Sequence, residues 1–142
     1  MKISAKTEYA CIAMLELAER YGSGEPIRIR SIADEHGVPA RFLVQILLQL
    51  KGAGFVASTR GASGGYQLVK PPDEISLGEV MSVIEGADEP ITSSASPDSR
   101  SAKVLQVTWQ EVADVERQAL LSITFADLVD RSRRTTENMY YI

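Results

Sequence analysis

The chain of 142 residues has little of the material from which enzymes build catalytic centres. It contains one cysteine, Cys11, and one histidine, His36. A single cysteine excludes an intramolecular disulfide and a metal site made only of cysteines. No nucleophile, base and orienting group form a recognisable set. We therefore expect neither an enzyme nor a metal site.

Long apolar runs are also absent. No segment is long enough to span a membrane, and no charged-then-apolar signal segment precedes the first helix, so we expect a cytoplasmic protein without a membrane partner. Hydrophobic residues make up 44% of the chain. The length predicts one domain with an extra element outside it.

Basic residues are too few to balance the acidic ones over the whole chain, whose formal net charge is -4. The charge is unevenly distributed. Residues 1–70 hold nine Lys and Arg against six Asp and Glu, which gives +3, whereas residues 71–142 hold six against thirteen, which gives -7. Because salt limits the reach of distant charges to about 8 Å, the first half can still bind phosphates.

Apolar residues recur at helical spacing in three segments of the first half. The predicted helices span about 7–20, about 30–36 and the residues that follow Pro39. Gly37 allows a turn with positive φ between the second and third helices, and this arrangement has the spacing of a helix-turn-helix. The third helix is expected to bury Phe42, Leu43, Ile46, Leu47 and Leu50.

A β-hairpin is predicted directly after the third helix. Residues 55–60 and 66–70 have the pattern of two short strands, with glycines and Ser63 in the loop between them. A hairpin in this place is the wing of a winged helix. Ser76 and Glu79 form a capping box that opens a fourth helix. The winged helix-turn-helix domain is therefore predicted to span residues 1–86.

The remainder of the chain predicts a loop and two more helices. Residues 87–101 are small, polar and interrupted by proline, which is typical of a mobile loop. In the region 102–142, a helix of about 20 residues carries an apolar stripe that a second copy of the chain is expected to cover. Thr124 and Asp127 resemble a second capping box, which starts a short last helix. The predicted interface residues are Leu105, Trp109, Val112, Leu120 and Ile123.

Taken together, these elements predict a mainly α fold with a small β-hairpin, and their motifs resemble the Rrf2 family of bacterial transcription regulators, which includes IscR, NsrR and CymR. The resemblance implies a homodimer, paired through the helix at about 103–122, that binds a pseudo-palindromic DNA operator and acts as a repressor. The matching residues are Lys6, Tyr9, Ala10, Ala13, Met14, Leu15, Ile32, Ala33, Gly37, Val38, Phe42, Leu43, Gln45, Ile46, Leu50, Gly54, Phe55, Val56, Arg60, Gly61, Gly64, Gly65, Tyr66, Thr124, Asp127, Leu128 and Val129.

The chain departs from the family pattern in two places. Many members bind an iron-sulfur cluster through three cysteines in the loop that corresponds to residues 87–101, and some add an acidic ligand at the position of Glu8. Here the loop offers only oxygen ligands, which do not replace thiolates, so we expect no cluster and no other cofactor. Val44 stands where IscR-like members carry a glutamate, so the operator is expected to differ from theirs.

Double-stranded DNA is the expected partner, and the third helix and the wing are expected to contact it. Arg41 and Gln45 lie one helical turn apart and are predicted to read base edges, beside Val44, which can contact a thymine methyl group. Arg60 is predicted to enter the minor groove or to pair with phosphate. The full predicted contact set is Arg28, Ala40, Arg41, Val44, Gln45, Arg60, Ser63 and Gly64.

Several of these residues have plainer interpretations. Leu48 is expected to contact the wing or another helix rather than DNA. His36 is interpreted as a helix C-terminal residue that interacts with the helix dipole, with metal binding or pH sensing as the less favoured alternative. Cys11 is interpreted as a small buried hydrophobe, with a redox thiol as its less favoured alternative.

Two other functions stay open. A winged helix can use apolar residues such as Val44 and Leu48 to hold a protein partner, although such a surface does not require the basic and polar set Arg41, Gln45 and Arg60. Alternatively, the regulator is controlled by an effector, a small molecule or a metabolic enzyme, that docks near the loop of residues 87–101.

Overall fold

The computed structural model describes residues 1–140, with side chains through Glu137. Within them, the fold consists of six α-helices, a two-stranded antiparallel hairpin and a short 3-10 turn, and this confirms the mainly helical fold with a small wing. The elements are α1 Ala5–Glu19, α2 Ile29–His36, α3 Ala40–Gly52, β1 Val56–Thr59, β2 Gly65–Leu68, the turn Pro72–Glu74, α4 Leu77–Glu85, α5 Arg100–Ser122 and α6 Phe125–Tyr140.

Helix α1 lies at the centre of the fold and packs against α3, α4 and α6. Its small residues Ala10 and Ala13 are fully buried, so neighbouring helices approach its backbone closely. Met14 and Leu17 extend the same buried face. Since this buried face is largely apolar, hydrophobic burial is the main force that orients the helix-turn-helix on α1.

Helix α6 completes this core. The side chains of Phe125 and Val129 are 0% and 7% exposed and pack in the same cluster as α1. The sequence assigns this helix to a separate region, 102–142, whereas in the structure its first turns belong to the core of residues 1–86. The helix is also longer than the short one expected, because the polar residues after Arg131 continue it through Tyr140.

Both predicted capping boxes are present. The Ser76 hydroxyl accepts a hydrogen bond from the Glu79 backbone N–H at 3.0 Å, and the Glu79 carboxylate accepts one from the Ser76 N–H at 3.5 Å. Thr124 and Asp127 repeat the arrangement at α6, with distances of 3.0 and 3.1 Å. The backbone hydrogen bond from Thr124 is the largest influence that lowers the pKa of Asp127. These caps satisfy amide groups that the first helical turn leaves unpaired.

The turn of the helix-turn-helix is built as predicted. Gly37 has φ 65° and ψ 32°, and the N–H of Val38 donates to the carbonyl oxygen of Ala33 at 3.1 Å. Ile32 and Ala33 are buried beneath it, which fixes α2 on the core. Glycine is the residue for which this left-handed backbone conformation costs least.

The wing is held close to the body by backbone contacts. Strand β1 pairs with β2 in antiparallel register, and Tyr66 exchanges two further hydrogen bonds with Ile27, at 2.8 and 2.9 Å. A Cβ on Gly65 would lie 2.5 Å from the carbonyl oxygen of Ile27, and one on Gly64 would lie 2.2 Å from that of Thr59. The two glycines are therefore required by the close approach of three backbone segments.

Helix α5 leaves the domain and α6 returns to it. It begins at Arg100, earlier than the position of about 103 expected, because the Ser99 hydroxyl accepts a hydrogen bond from the Ala102 N–H at 3.1 Å. At its other end, the N–H of Leu77 donates to the oxygen of Ile123 at 2.8 Å, and the N–H of Phe125 donates to the oxygen of Ile75 at 3.0 Å. These bonds anchor the far end of α5 to the base of α4.

One core prediction is wrong. Phe42 is 39% exposed rather than buried, because it lies at the edge of the core beside Tyr9, with the two ring centroids 6.1 Å apart. Leu43, Ile46, Leu47 and Leu50, the other residues expected on the inner face of α3, are all fully buried. Among the described residues, no helix is both long enough and apolar enough to cross a membrane.

Candidate nucleic-acid interface

The outward face of α3 carries the predicted reading residues. Arg41, Val44 and Gln45 are all exposed, while the opposite face of the helix is buried in the core. Leu48 lies on the same outward side and is 56% exposed, so the prediction that the wing or another helix covers it is wrong. The exposed face is therefore part polar and part apolar, as expected of a surface that meets base edges and thymine methyl groups.

The amino end of α3 is suited to an anion. Its N-cap residue is Pro39, and no side chain caps this end within the described residues. Ala40, the first residue of the helix, is exposed. Amide groups of a first helical turn that lack a cap carry partial positive charge and are available to phosphate oxygens.

Arg41 lies against an aromatic pair that joins α3 to α1. Its guanidinium carbon is 5.3 Å from the centroid of the Phe42 ring, and Phe42 in turn lies beside Tyr9. A cation above an aromatic face at this distance is attracted by the ring quadrupole. The exposed position of Phe42 therefore gives the recognition helix a support that the sequence pattern did not indicate.

The wing presents the second group of predicted contacts. Arg60 and Ser63 are exposed at its tip. Gly64 is buried, and its N–H donates to the oxygen of Gly61 at 3.0 Å, so Gly64 shapes the tip and its contact with DNA stays a prediction. Lys51 at the end of α3 donates to the Ser58 hydroxyl on β1 at 2.8 Å, a link between reading helix and wing that sequence reasoning missed.

Arg28 extends the same surface towards α2. It is exposed and directly precedes α2 as its N-cap residue. The neighbouring residue, Ile27, pairs with Tyr66 of the wing, so the backbone places Arg28 between the wing and the helix-turn-helix. The structure thus brings the basic residues of α2, α3 and the wing onto neighbouring elements.

The predicted dimer residues differ in exposure along helix α5. Leu105, Trp109 and Val112 are 46%, 55% and 61% exposed. Leu120 and Ile123 are only partly exposed, because they lie at the end of α5 that packs on α4. Their place in an interface between chains stays a prediction. Val104 and Val115 are exposed apolar residues of α5 that the prediction did not include.

The loop of residues 87–101 is exposed and tethered to α5. The backbone of Ile91 accepts a hydrogen bond from Gln106 at 2.8 Å and donates one to Gln110 at 3.4 Å. A cavity of about 780 Å³ lies between the loop, α4 and α5, with Glu85 and Asp88 among its lining residues. The loop offers hydroxyl and carboxylate oxygens and no thiolate, so its donors do not fit an iron-sulfur cluster.

The single histidine and the single cysteine both lie at helix α1. His36 contacts Glu16 of α1 through a 2.8 Å hydrogen bond, a partner that the sequence pattern did not identify. Cys11 is half-buried in α1. Its burial, and secondarily the negative charge of Glu85, raise the pKa of the Cys11 thiol to about 11. This favours the interpretation of Cys11 as a small hydrophobe over a redox thiol.

Comparisons with known proteins agree with this geometry. A family described as Rrf2, iron-dependent transcriptional regulator, matches residues 3–131. The HTH-type transcriptional regulator CymR of Bacillus subtilis is 36% identical over 143 aligned residues, which cover all of both chains. The solved structure of B. subtilis CymR, described as its global cysteine regulator, has a TM-score of 0.81 at 35% identity and covers 92% of this chain and 98% of its own. IscR of T. potens has a TM-score of 0.76 at 33% identity and covers 93% of this chain and 88% of its own.

The raised pKa of Cys11 predicts slow alkylation. At pH 9, about half of the thiols with the ordinary pKa of 9.0 are ionised, against about one in a hundred at a pKa of about 11. Iodoacetamide should therefore modify the folded protein roughly 50-fold more slowly than the same protein in denaturant. Mass spectrometry follows the reaction. Since folding disfavours the thiolate, Cys11 should also reduce stability as the pH rises from 9 towards 11. Equal alkylation rates in both states would restore the redox alternative.

Proposed function

The chain belongs to the Rrf2 family of DNA-binding, HTH-type transcriptional regulators, which are not enzymes, and on this premise we propose that it is a homodimeric repressor of a pseudo-palindromic operator. Two copies joined through α5 would present two reading helices and two wings to one face of the duplex. Because its target is genomic DNA, we expect it to act in the cytoplasm.

The apolar face of α5 is the observation that carries the proposal of a dimer. Successive residues of a helix are separated by about 100° around its axis. On this basis Leu105, Val112 and Val115 lie within an arc of about 80°, on a side of α5 that adjoins the one on which Ala102, Gln106 and Ala113 face the loop and α4. This adjoining side is exposed and apolar over about three turns of the helix. A stripe of this length is typical of an interface between identical chains.

A charge placed within the stripe should separate the two copies. Leu105→Asp would bury an unpaired carboxylate in the interface, so we expect monomers or aggregates and the loss of operator binding, although Leu105 lies on α5 and not on the reading helix. Lys103→Asp introduces the same side chain on α5 outside the stripe and serves as the control. Sedimentation and operator affinity are the measurements. A Leu105→Asp protein that stays dimeric and binds fully would show that the copies pair elsewhere.

Direct reading of bases is proposed for α3, and contact with the DNA backbone or minor groove for the wing. Arg41 and Gln45 are exposed one turn apart, a spacing that reaches neighbouring base pairs in the major groove. Arg60 at the wing is exposed beside a loop whose glycines allow close backbone approach. The +3 charge of residues 1–70 favours phosphates on this side of the molecule.

Two substitutions separate these roles. Gln45→Ala should cost about 1–3 kcal/mol of binding free energy on the preferred operator and little on random DNA, because only base contacts carry sequence information. Arg60→Ala should weaken binding to both, because its proposed contacts do not depend on the full base sequence. Gln118→Ala, an exposed glutamine on α5, is the matched control. Equal losses on both kinds of DNA for Gln45→Ala would mean that α3 does not read the sequence.

We propose that an effector controls the regulator by binding in the acidic cavity beside the loop. The cavity lies between residues 87–91, α4 and α5, so an occupant would contact the reading domain and the proposed dimer helix at once. A small molecule or a metabolic enzyme that binds there would alter the angle at which α5 leaves the domain. This arrangement supports an effector-sensing regulator over a winged helix whose purpose is to hold a protein partner.

We also propose that the loop holds no iron-sulfur cluster. The loop has only oxygen donors, and the single cysteine lies half-buried in α1. One chain therefore has no set of thiolates that could hold a cluster. Protein purified without oxygen should therefore be colourless above about 320 nm and free of acid-labile sulfide. Absorption spectroscopy and a sulfide assay are the measurements. Visible bands that disappear with the sulfide on exposure to air would overturn the proposal.

A further inference from the structure

The single histidine and two glutamates meet where α1 passes the end of α2. The Nε2 atom of His36 lies 2.8 Å from Oε1 of Glu16 and 3.9 Å from Oε2 of Glu35. One possible ligand atom from each of the three residues lies within 4.8 Å of the other two. The cluster joins two helices, since Glu16 belongs to α1 and the other two residues end α2.

The charge of this cluster is unbalanced. Glu16 is 9% exposed, so its carboxylate has lost most of its contact with water. In the part of the chain that the structure describes, neither Glu16 nor Glu35 pairs with a lysine or an arginine. With a neutral imidazole the three side chains together carry two negative charges. A divalent cation would neutralise both, whereas a proton on His36 would neutralise only one.

The spacing of the three groups is close to that of metal ligands. Nitrogen and oxygen ligands lie about 2.0–2.2 Å from Zn²⁺, so two of them in neighbouring coordination positions are about 3–3.5 Å apart. The Glu16–His36 distance of 2.8 Å is close to this range. The Glu35 side chain is 58% exposed and is free to change rotamer and approach. One imidazole and two carboxylates suit first-row divalent ions.

We propose that Glu16, Glu35 and His36 form a binding site for a divalent first-row transition-metal ion. In the ion-bound form the imidazole is neutral and carries its one proton on Nδ1, so Nε2 offers its lone pair to the ion. A proton on Nε2 of the ion-free neutral ring would move to Nδ1 through solvent, and a second ring proton, where present, would be released to solvent. Waters complete the coordination of the ion. The sequence alone favours a dipole interaction for His36, and the buried partner Glu16 is the reason to revise that interpretation.

The position of the site connects it to the helix-turn-helix. His36 is the last residue of α2, and Gly37 then turns the chain towards α3. An ion held by α1 and α2 would therefore fix the first helix of the motif to the central helix of the core. Since it binds the folded chain and not the unfolded one, the ion should raise the melting temperature.

Titration with Zn²⁺ tests the proposal without DNA, so its outcome is independent of the proposed function. Tag-free, chelator-treated protein should bind one Zn²⁺ ion per chain by isothermal titration calorimetry, and its melting temperature should rise. Glu35→Gln and His36→Gln should each weaken Zn²⁺ binding at least tenfold. Glu19→Gln, an exposed glutamate on the same helix as Glu16, should bind as the unaltered chain does. Mn²⁺ titrations followed by electron paramagnetic resonance provide a second probe.

Glu35 is the proposed ligand whose substitution tests the site with the least risk to folding. Glu16→Gln alters a buried group and risks misfolding, whereas Glu35→Gln changes a largely exposed side chain and leaves the core intact. Absence of saturable binding, or Zn²⁺ binding that Glu35→Gln and His36→Gln leave unchanged, would overturn the proposal. A loss of stability in His36→Gln without any binding of Zn²⁺ to the unaltered chain would show that the Glu16–His36 contact is only an ion pair.

Discussion

Burial of α1 against α3, α4 and α6 is the interaction on which the proposed interface depends. Ala10 and Ala13 let three helices approach one backbone, and Met14 and Leu17 fill the space between them. The reading face of α3 is exposed because its opposite face is used in this packing. Any change that loosens α1 would therefore alter the angle of α3 without changing a residue that is proposed to contact DNA.

The second constraint is the attachment of α5. Backbone hydrogen bonds between residues 75–77 and residues 123–125 hold its far end at the base of α4, where a Cβ on Gly78 would lie 3.1 Å from the backbone of Leu120 and Leu121. This attachment turns one face of α5 towards the loop and leaves an adjoining apolar face exposed. The winged domain, the cavity beside the loop and the proposed dimer surface thus meet at this one attachment, so an effector of the proposed kind would act on DNA binding by changing the angle of α5 there.

Local patterns in the sequence predicted the features that depend on neighbouring residues. Both capping boxes, the left-handed turn at Gly37 and the wing follow from residues within a few positions of one another. The inner face of α3 was also predictable, except at Phe42, since helical periodicity does not show where a core ends. The structure supports the position of the reading residues on an exposed face, while their contacts with DNA stay predictions.

Contacts between distant residues could not be predicted in this way. Glu16 and His36 are 20 positions apart, and Thr7 donates a hydrogen bond to Glu85 across 78 positions. The length of α6 was missed because its later residues are polar and lack an apolar stripe. The pairing of Ile27 with the wing was missed because one bridge leaves no strand pattern. Such contacts follow from the assembled fold rather than from local preference.

The central claim is that two reading heads act together on one operator. Selection of bound fragments from random duplex DNA tests this claim most directly. The account predicts an enriched inverted repeat whose half-sites are about 34 Å apart, or about 10 base pairs from centre to centre. Enrichment of an isolated half-site, or of no sequence at all at physiological salt, would contradict it.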